Sequence, residues 1–361
     1  MRLDASLMPE ARWNTHIACL TRLCDAAGRG PDLIDVAGLT GLAFRTSLAR
    51  RVSPAGQYLA WAWEPSFRLW LDVLGLDADV AAHRAGRPTY DSWLQRQHER
   101  IADTLARGFP VLWWDNVGFA LILGEEDGGY LVSGLPSQVV HPFWLTVPET
   151  AGLAARLRDP RSRQPQSVFR VERDDLTSAV EPEALLVYVH GVGRFDPERA
   201  RARSIALACA ELGGRVAYPR LRGDLGREYE PQFGTEALTR WREELKDGRV
   251  HPFGMIQALQ SLGEARRLGA EYLGRLADRA EPDREPALRQ AAHFFKQIGD
   301  YLRPLLRVFD MPLDPDSQMT RARWESGREA LYQMQQTEGT AARLLASLAS
   351  GSPDEEQVVG G

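Results

Sequence analysis

Two textures divide the chain. Up to about residue 193, apolar positions come in short runs broken by glycine, proline and polar turns. From about residue 196 they recur at three- and four-residue steps. In the first part, Asn14-Thr15 precedes an apolar-periodic stretch of Ile17, Leu20, Leu23/Cys24 and Ala27 that stops at Gly28. This predicts a short helix capped by Asn14 or Thr15 and closed by the glycine. Residues 38–45 are glycine-punctuated and read as a turn leading into a strand. Residues 66–74 and 90–107 read as helices. After Gly108-Phe109-Pro110 come three apolar runs, 111–114, 119–123 and 130–132, with turn residues between them. That spacing predicts an antiparallel meander. Residues 167–171 and 185–189 are expected to return to the same sheet as edge strands. The polar stretch 156–166 between them reads as an exposed loop inside this first domain.

The second part opens on Asp196-Pro197-Glu198, a cap, a first-turn proline and a first-turn acid, and its helix runs to Gly213-Gly214. Three long stripes follow. The first holds Met255, Leu259, Leu262, Gly269, Leu273 and Leu276. The second holds Leu288, Ala291, Phe295, Ile298, Leu302 and Leu305. The third holds Trp324, Leu331, Met334, Ala341, Leu345 and Leu348. Stripes of this period bury against one another in a bundle. The first is interrupted by Arg266, four after Leu262, and the third by Glu338, four after Met334. Charges on buried faces are costly unless paired. Arg266 and Glu338 are therefore expected to meet across the helices as a partly buried ion pair.

Composition narrows the partners. The 361 residues are 44% hydrophobic and 26% charged, with a net charge of −5, which fits a globular protein and gives no reason to expect nucleic acid. Only Lys246 and Lys296 are lysines, a skew towards arginine that reads as codon bias and not as a binding signal. Three cysteines, Cys19, Cys24 and Cys209, are too few for a disulfide scaffold. The run 119–123 is far short of a membrane span. Residues 1–14 show no apolar core of a signal peptide. A cytoplasmic location with reduced thiols is the expectation.

Several strings of residues bear on chemistry. Leu185-Leu-Val-Tyr-Val-His190-Gly-Val-Gly193 resembles the oxyanion loop of α/β-hydrolases, but the chain has no Gly-x-Ser-x-Gly elbow to accompany it. His16, Cys19, Cys24 and Cys209 lack the tight spacing of a zinc site, so no metal is expected. A phosphate loop ending in Gly-Lys-Ser/Thr cannot occur at either lysine. Arg199, Arg201 and Arg203 fan around a helix, as a solvated face does. Trp61, Trp63, Trp70, Trp93, Trp113, Trp114 and Trp144 crowd the first part, where core filling is the usual use of tryptophan. No cofactor is implied.

Taken together, Asn14-Thr15-His16-Ile-Ala-Cys19…Gly28, Gly38-Leu-Thr-Gly41-Leu-Ala-Phe44-Arg45, Gly108-Phe-Pro110, Gly118-Phe-Ala-Leu-Ile-Leu-Gly124 and Gly129-Tyr-Leu-Val resemble a papain-like fold of the C39-peptidase-like type. The closest likeness is to the N-terminal domain family of butirosin biosynthesis protein H. The order and spacing of these segments carry the resemblance. The C-terminal part, with Gly234-Thr-Glu-Ala237, Trp241 and Leu245, looks like the helical region that accompanies such domains. The resemblance implies a cysteine at the first helix N-terminus, a histidine at the start of the first hairpin strand, and an Asp or Asn on the next strand. By its spacing these slots fall on Thr15, Gly118 and near Gly134, so all three functional groups are lost.

The fold class expected is therefore α/β (α+β). A papain-like domain with a small antiparallel sheet over 1–195 is followed by an all-α bundle over 196–350 and a flexible tail over 351–361. The expected function is a non-catalytic binding or scaffold protein with a degenerate cleft around Asn14, Thr15, His16, Trp113, Asp115 and Asn116, facing a small-molecule or peptide-like ligand. One alternative is a thiol-dependent acyltransferase or amide-cleaving enzyme using Cys19, with His16 or His141 as base. Another is an α/β-hydrolase using residues 190–193.

Overall fold

The computed structural model describes residues 2–9, 12–48, 63–83, 89–114, 118–133, 168–176, 184–214, 232–248, 250, 252–308 and 321–349. The expected loop at 156–166 and the expected tail at 351–361 lie outside these. In chain order the elements are α1 (Thr15–Ala26), α2 (Leu33–Leu39), β1 (Ser47–Leu48), α3 (Trp63–Val73), β2 (Leu76–His83) and α4 (Tyr90–Ala106). Then come β3 (Val111–Trp114), β4 (Phe119–Glu126), β5 (Gly129–Ser133), β6 (Phe169–Glu172) and β7 (Ala184–Val192). The rest are α5 (Pro197–Leu212), β8 (Gln232–Phe233), α6 (Gly234–Lys246), α7 (Pro252–Ala277), α8 (Glu285–Val308) and α9 (Arg321–Ala349). Mixed helices and antiparallel strands, followed by a helical region, make the chain α+β.

Two compact units share the chain. One is Met1–Asp32 with Ser66–Arg194; the other is Leu33–Pro65 with Phe195–Gly361. The second unit thus takes in residues 33–65, which the sequence pattern groups with the first part. Nothing in local periodicity marks a segment whose partners lie far along the chain.

The first unit is built on a six-stranded antiparallel sheet in the order β2-β7-β3-β4-β5-β6. The three runs read as a meander are β3, β4 and β5. Asp127 (φ 49) and Gly128 (φ 78) close the β4–β5 hairpin with two left-handed residues, the conformation a tight two-residue turn demands. β6 is an edge strand, as expected. β7 is not: it lies between β2 and β3. Its run Leu185-Leu-Val-Tyr-Val shows no alternation because it is buried throughout, at no more than 2% exposure. The true edge, β2, is hidden in the sequence by its alanines and by Asp77 and Asp79.

Two helices end on the glycines expected of them. Past α1, Gly28 takes φ 71 while its N–H bonds Asp25 and that of Arg29 bonds Cys24. Past α4, Gly108 takes φ 89 and Phe109 bonds back to Thr104. Both are Schellman closures, which satisfy carbonyls that the last turn leaves open. The aromatic residues fill the core. Phe119 sits among Trp114 (4.7 Å between ring centroids), Phe67 (5.1 Å) and His16 (6.0 Å), and Trp70 packs on Phe67 at 4.9 Å. On the α4 side the Tyr188 hydroxyl donates to Gln97 Oε1 at 3.1 Å, and the Tyr130 hydroxyl stands 2.7 Å from His98 Nδ1. Burial pushes both phenols well above the usual tyrosine range.

In the second unit, Asp196 caps α5 with its carboxylate, accepting the N–H groups of Glu198 (3.0 Å) and Arg199 (3.1 Å). The stripes of α7, α8 and α9 pack on one another, with Phe295, Ile298, Leu302, Leu331, Met334, Ala341 and Leu345 fully buried. Residues 38–45 depart from the expected turn. Gly38 lies inside α2, the turn comes at Gly41 (φ 76), and a short 3-10 turn Leu42–Phe44 leads to the two-residue β1. Gly38 is where the Tyr272 ring lies flat on the helix: a Cβ there would come within 2.1 Å of the ring. β1 pairs antiparallel with β8. Arg266 and Glu338 meet, with Nε 2.6 Å from Oε1 and both side chains at 0% exposure, so the pair is wholly and not partly buried. Desolvation raises the Glu338 pKa, with the Arg266 guanidinium pulling the other way.

Candidate functional site

The N-terminus of α1 meets the first residue of β4. Asn14 occupies the N-cap position without a side-chain cap bond; its main-chain carbonyl accepts from Ile17 (3.0 Å) and Ala18 (3.4 Å). The Thr15 hydroxyl does not cap the helix either. It accepts the backbone N–H of Phe119 at 2.7 Å. One turn further on, the Cys19 thiol donates to the Phe119 carbonyl at 3.5 Å. The expected capping role of Asn14 or Thr15 is thus replaced by a tie between helix and sheet. The physical reason is that a buried strand residue facing a helix needs partners for its own main chain.

Of the six residues expected around the cleft, four are described. Asn14, Thr15, His16 and Trp113 are 8%, 1%, 2% and 3% exposed. Asp115 and Asn116 lie outside the described residues, as do Gly134 and His141. Thr15 and the Gly118–Phe119 step are brought together. The His16 ring turns to Trp70 (6.1 Å, stacked) and to Phe119. Trp113 goes elsewhere: its indole N–H bonds the Leu176 carbonyl at 3.2 Å. These four side chains are packed into the unit.

A nucleophilic thiol must be reachable and able to ionise. Cys19 is at 0% exposure and lies against the sheet. Cys24, on the same helix, is pushed up to about 12 by burial, with Asp25 adding to the effect. Neither has the accessible setting of a reactive cysteine. Among the described residues no group of three or more His, Cys, Asp and Glu is placed to hold a metal ion.

Residues 190–193 do not form an oxyanion loop. His190 and Gly191 belong to β7, with Gly191 opposite Asp77, and the Gly193 N–H is spent on the Gly75 carbonyl at 2.9 Å. His190 instead lies in a surface cluster of residues far apart along the chain. Its Nε2 faces Asp79 at 3.2 Å and its Nδ1 faces Arg107 at 3.1 Å, while Arg100 bonds the same Asp79 oxygen at 2.8 Å. Arg107 can only donate, so Nδ1 is the acceptor and Nε2 carries the proton to Asp79. The hydrogen bond from His190 lowers the Asp79 pKa, against a smaller desolvation effect. Both ring nitrogens are engaged, and no described nucleophile stands beside them.

No protein-family model and no curated protein matches the chain.

Proposed function

We propose that the chain is a non-catalytic binding or scaffold protein whose first unit is a papain-like domain of the C39-peptidase-like type with its catalytic positions converted to packing positions. The observation that carries this reading is the double use of Phe119. The nucleophile slot, Thr15, and the thiol nearest to it, Cys19, are both bonded to its main chain. Phe119 in turn directly follows Gly118, the base slot. The contact of the α1 N-terminus with the start of β4 supports this reading. A threonine hydroxyl with no adjacent base stays protonated at neutral pH and is a poor nucleophile. The burial of Asn14, Thr15, His16 and Trp113 favours the scaffold role over one in which these four line a ligand pocket. No described helix is long and apolar enough to cross a membrane.

The test is to treat the folded protein and a Cys19→Ala variant with a thiol-directed alkylating reagent at neutral pH. Slow modification, equal in the two, supports the reading. Rapid stoichiometric labelling that disappears in Cys19→Ala would establish the thiol enzyme instead.

A further inference from the structure

Residues 43–48 form a strap tied by hydrogen bonds to chain at sequence separations of 166 to 223 residues. The Arg45 side chain holds Glu211 through Nε (3.1 Å) and Nη2 (2.7 Å), with Glu211 1% exposed. The Thr46 carbonyl accepts the Gly234 N–H at 2.9 Å. Ser47 and Leu48 pair with Phe233 and Gln232. Arg266 of α7 closes the arrangement. Its Nη1 donates to the carbonyls of Ala43 (2.8 Å) and Arg45 (3.2 Å), its Nη2 to the Thr46 hydroxyl, and its Nε to Glu338 of α9 at 2.6 Å.

One rigid guanidinium therefore bridges the strap on one side and α9 on the other, with no water-exposed surface. If α9 withdraws, Arg266 keeps a buried charge without a counter-ion. If the strap withdraws, it keeps buried N–H donors without acceptors. Either state is much costlier than a fully open one in which the guanidinium reaches water.

We propose that Arg266 is a conformational latch, so that release of the strap 43–48 and opening of the second unit at α9 are a single event. Because Gly234, at the start of α6, is tied to Thr46, the beginning of that helix is released in the same event.

Native-state hydrogen exchange on the full chain tests this. The Gly234 amide reports seating of the strap; the amides of Met334 and Ala341 report α9. In the unmodified protein the three are expected to exchange through one opening, with the same denaturant dependence. In a doubly substituted Arg266→Met, Glu338→Leu protein, the apolar pair keeps α9 packed while the strap carbonyls lose their donor. Gly234 exchange is then expected to rise about tenfold or more, with α9 still protected. A Gly234 amide that exchanges through a separate, easier opening in the unmodified protein would overturn the latch. So would a double variant in which Gly234 stays as slow as before. Should the double variant fail to fold, the comparison within the unmodified protein decides alone.

Discussion

The hydroxyl of Thr15 accepts the backbone N–H of Phe119 at 2.7 Å, and both residues are at most 1% exposed. A main-chain donor buried this deeply has no water to fall back on. Thr15→Val keeps the shape and removes the acceptor. It is expected to destabilise the first unit by about 1–3 kcal/mol, the cost of leaving a buried donor unmade. Thr15→Ser keeps the bond and loses one methyl, so its loss should be smaller, about 1 kcal/mol. Denaturant midpoints at unchanged slope give both values. A Thr15→Val protein as stable as the parent would mean that the hydroxyl does not hold the helix to the strand.

Gly38 tests the seating of residues 33–48 in the second unit. A Cβ at that position would stand 2.1 Å from Tyr272 Cγ and 2.3 Å from both Cδ atoms. The ring cannot retreat freely, because its hydroxyl bonds Ser204 at 2.8 Å and the residue is 2% exposed. Gly38→Ala should therefore lower stability, by about 1–3 kcal/mol as overpacking does, even though alanine is the better helix former. Thermal unfolding of Gly38→Ala against the parent checks the sign. A gain in stability would place α2 off Tyr272.

Asp79 gives a pH signature. The hydrogen bond from His190 lowers its folded-state pKa below the usual 3.8. A carboxyl depressed in this way adds stability above its unfolded value and loses it as pH falls through the folded one. The window is thus below about pH 4, and the effect is small because Asp79 is largely exposed. His190→Ala removes the first cause. An NMR titration should then show the Asp79 carboxyl moving up towards the ordinary value; an unchanged titration would show that the hydrogen bond is not what sets it.

Much of this architecture was legible where burial writes a local pattern. The three apolar runs and the turn residues between them around 111–132 marked three strands, and the interrupted stripes marked Arg266 and Glu338 as partners because a lone buried charge is too costly to keep. β7 was visible as a strand but not as an interior one, since a short apolar run fits several positions in a sheet. Other features left no local trace. Gly38 looked like a turn because its reason for being glycine is Tyr272, more than two hundred residues away. The pairing of β1 with β8 and the inclusion of residues 33–65 in the second unit are likewise non-local. At the candidate site, the resemblance implied that Thr15 and Gly118 hold neighbouring slots. It could not show that Thr15 and Cys19 turn to the main chain of Phe119 instead of to the helix end or to solvent.

The central claim is that the positions corresponding to a thiol catalyst are now structural. Incubating the native chain with an acyl thioester at neutral pH, and following intact mass over time, tests it most directly. Cys19 at 0% exposure and Cys24 at 0% exposure, the latter with its pKa pushed up to about 12, should leave the mass unchanged until the protein is unfolded. A single acyl adduct that forms rapidly on the folded protein and is absent from Cys19→Ala would contradict it.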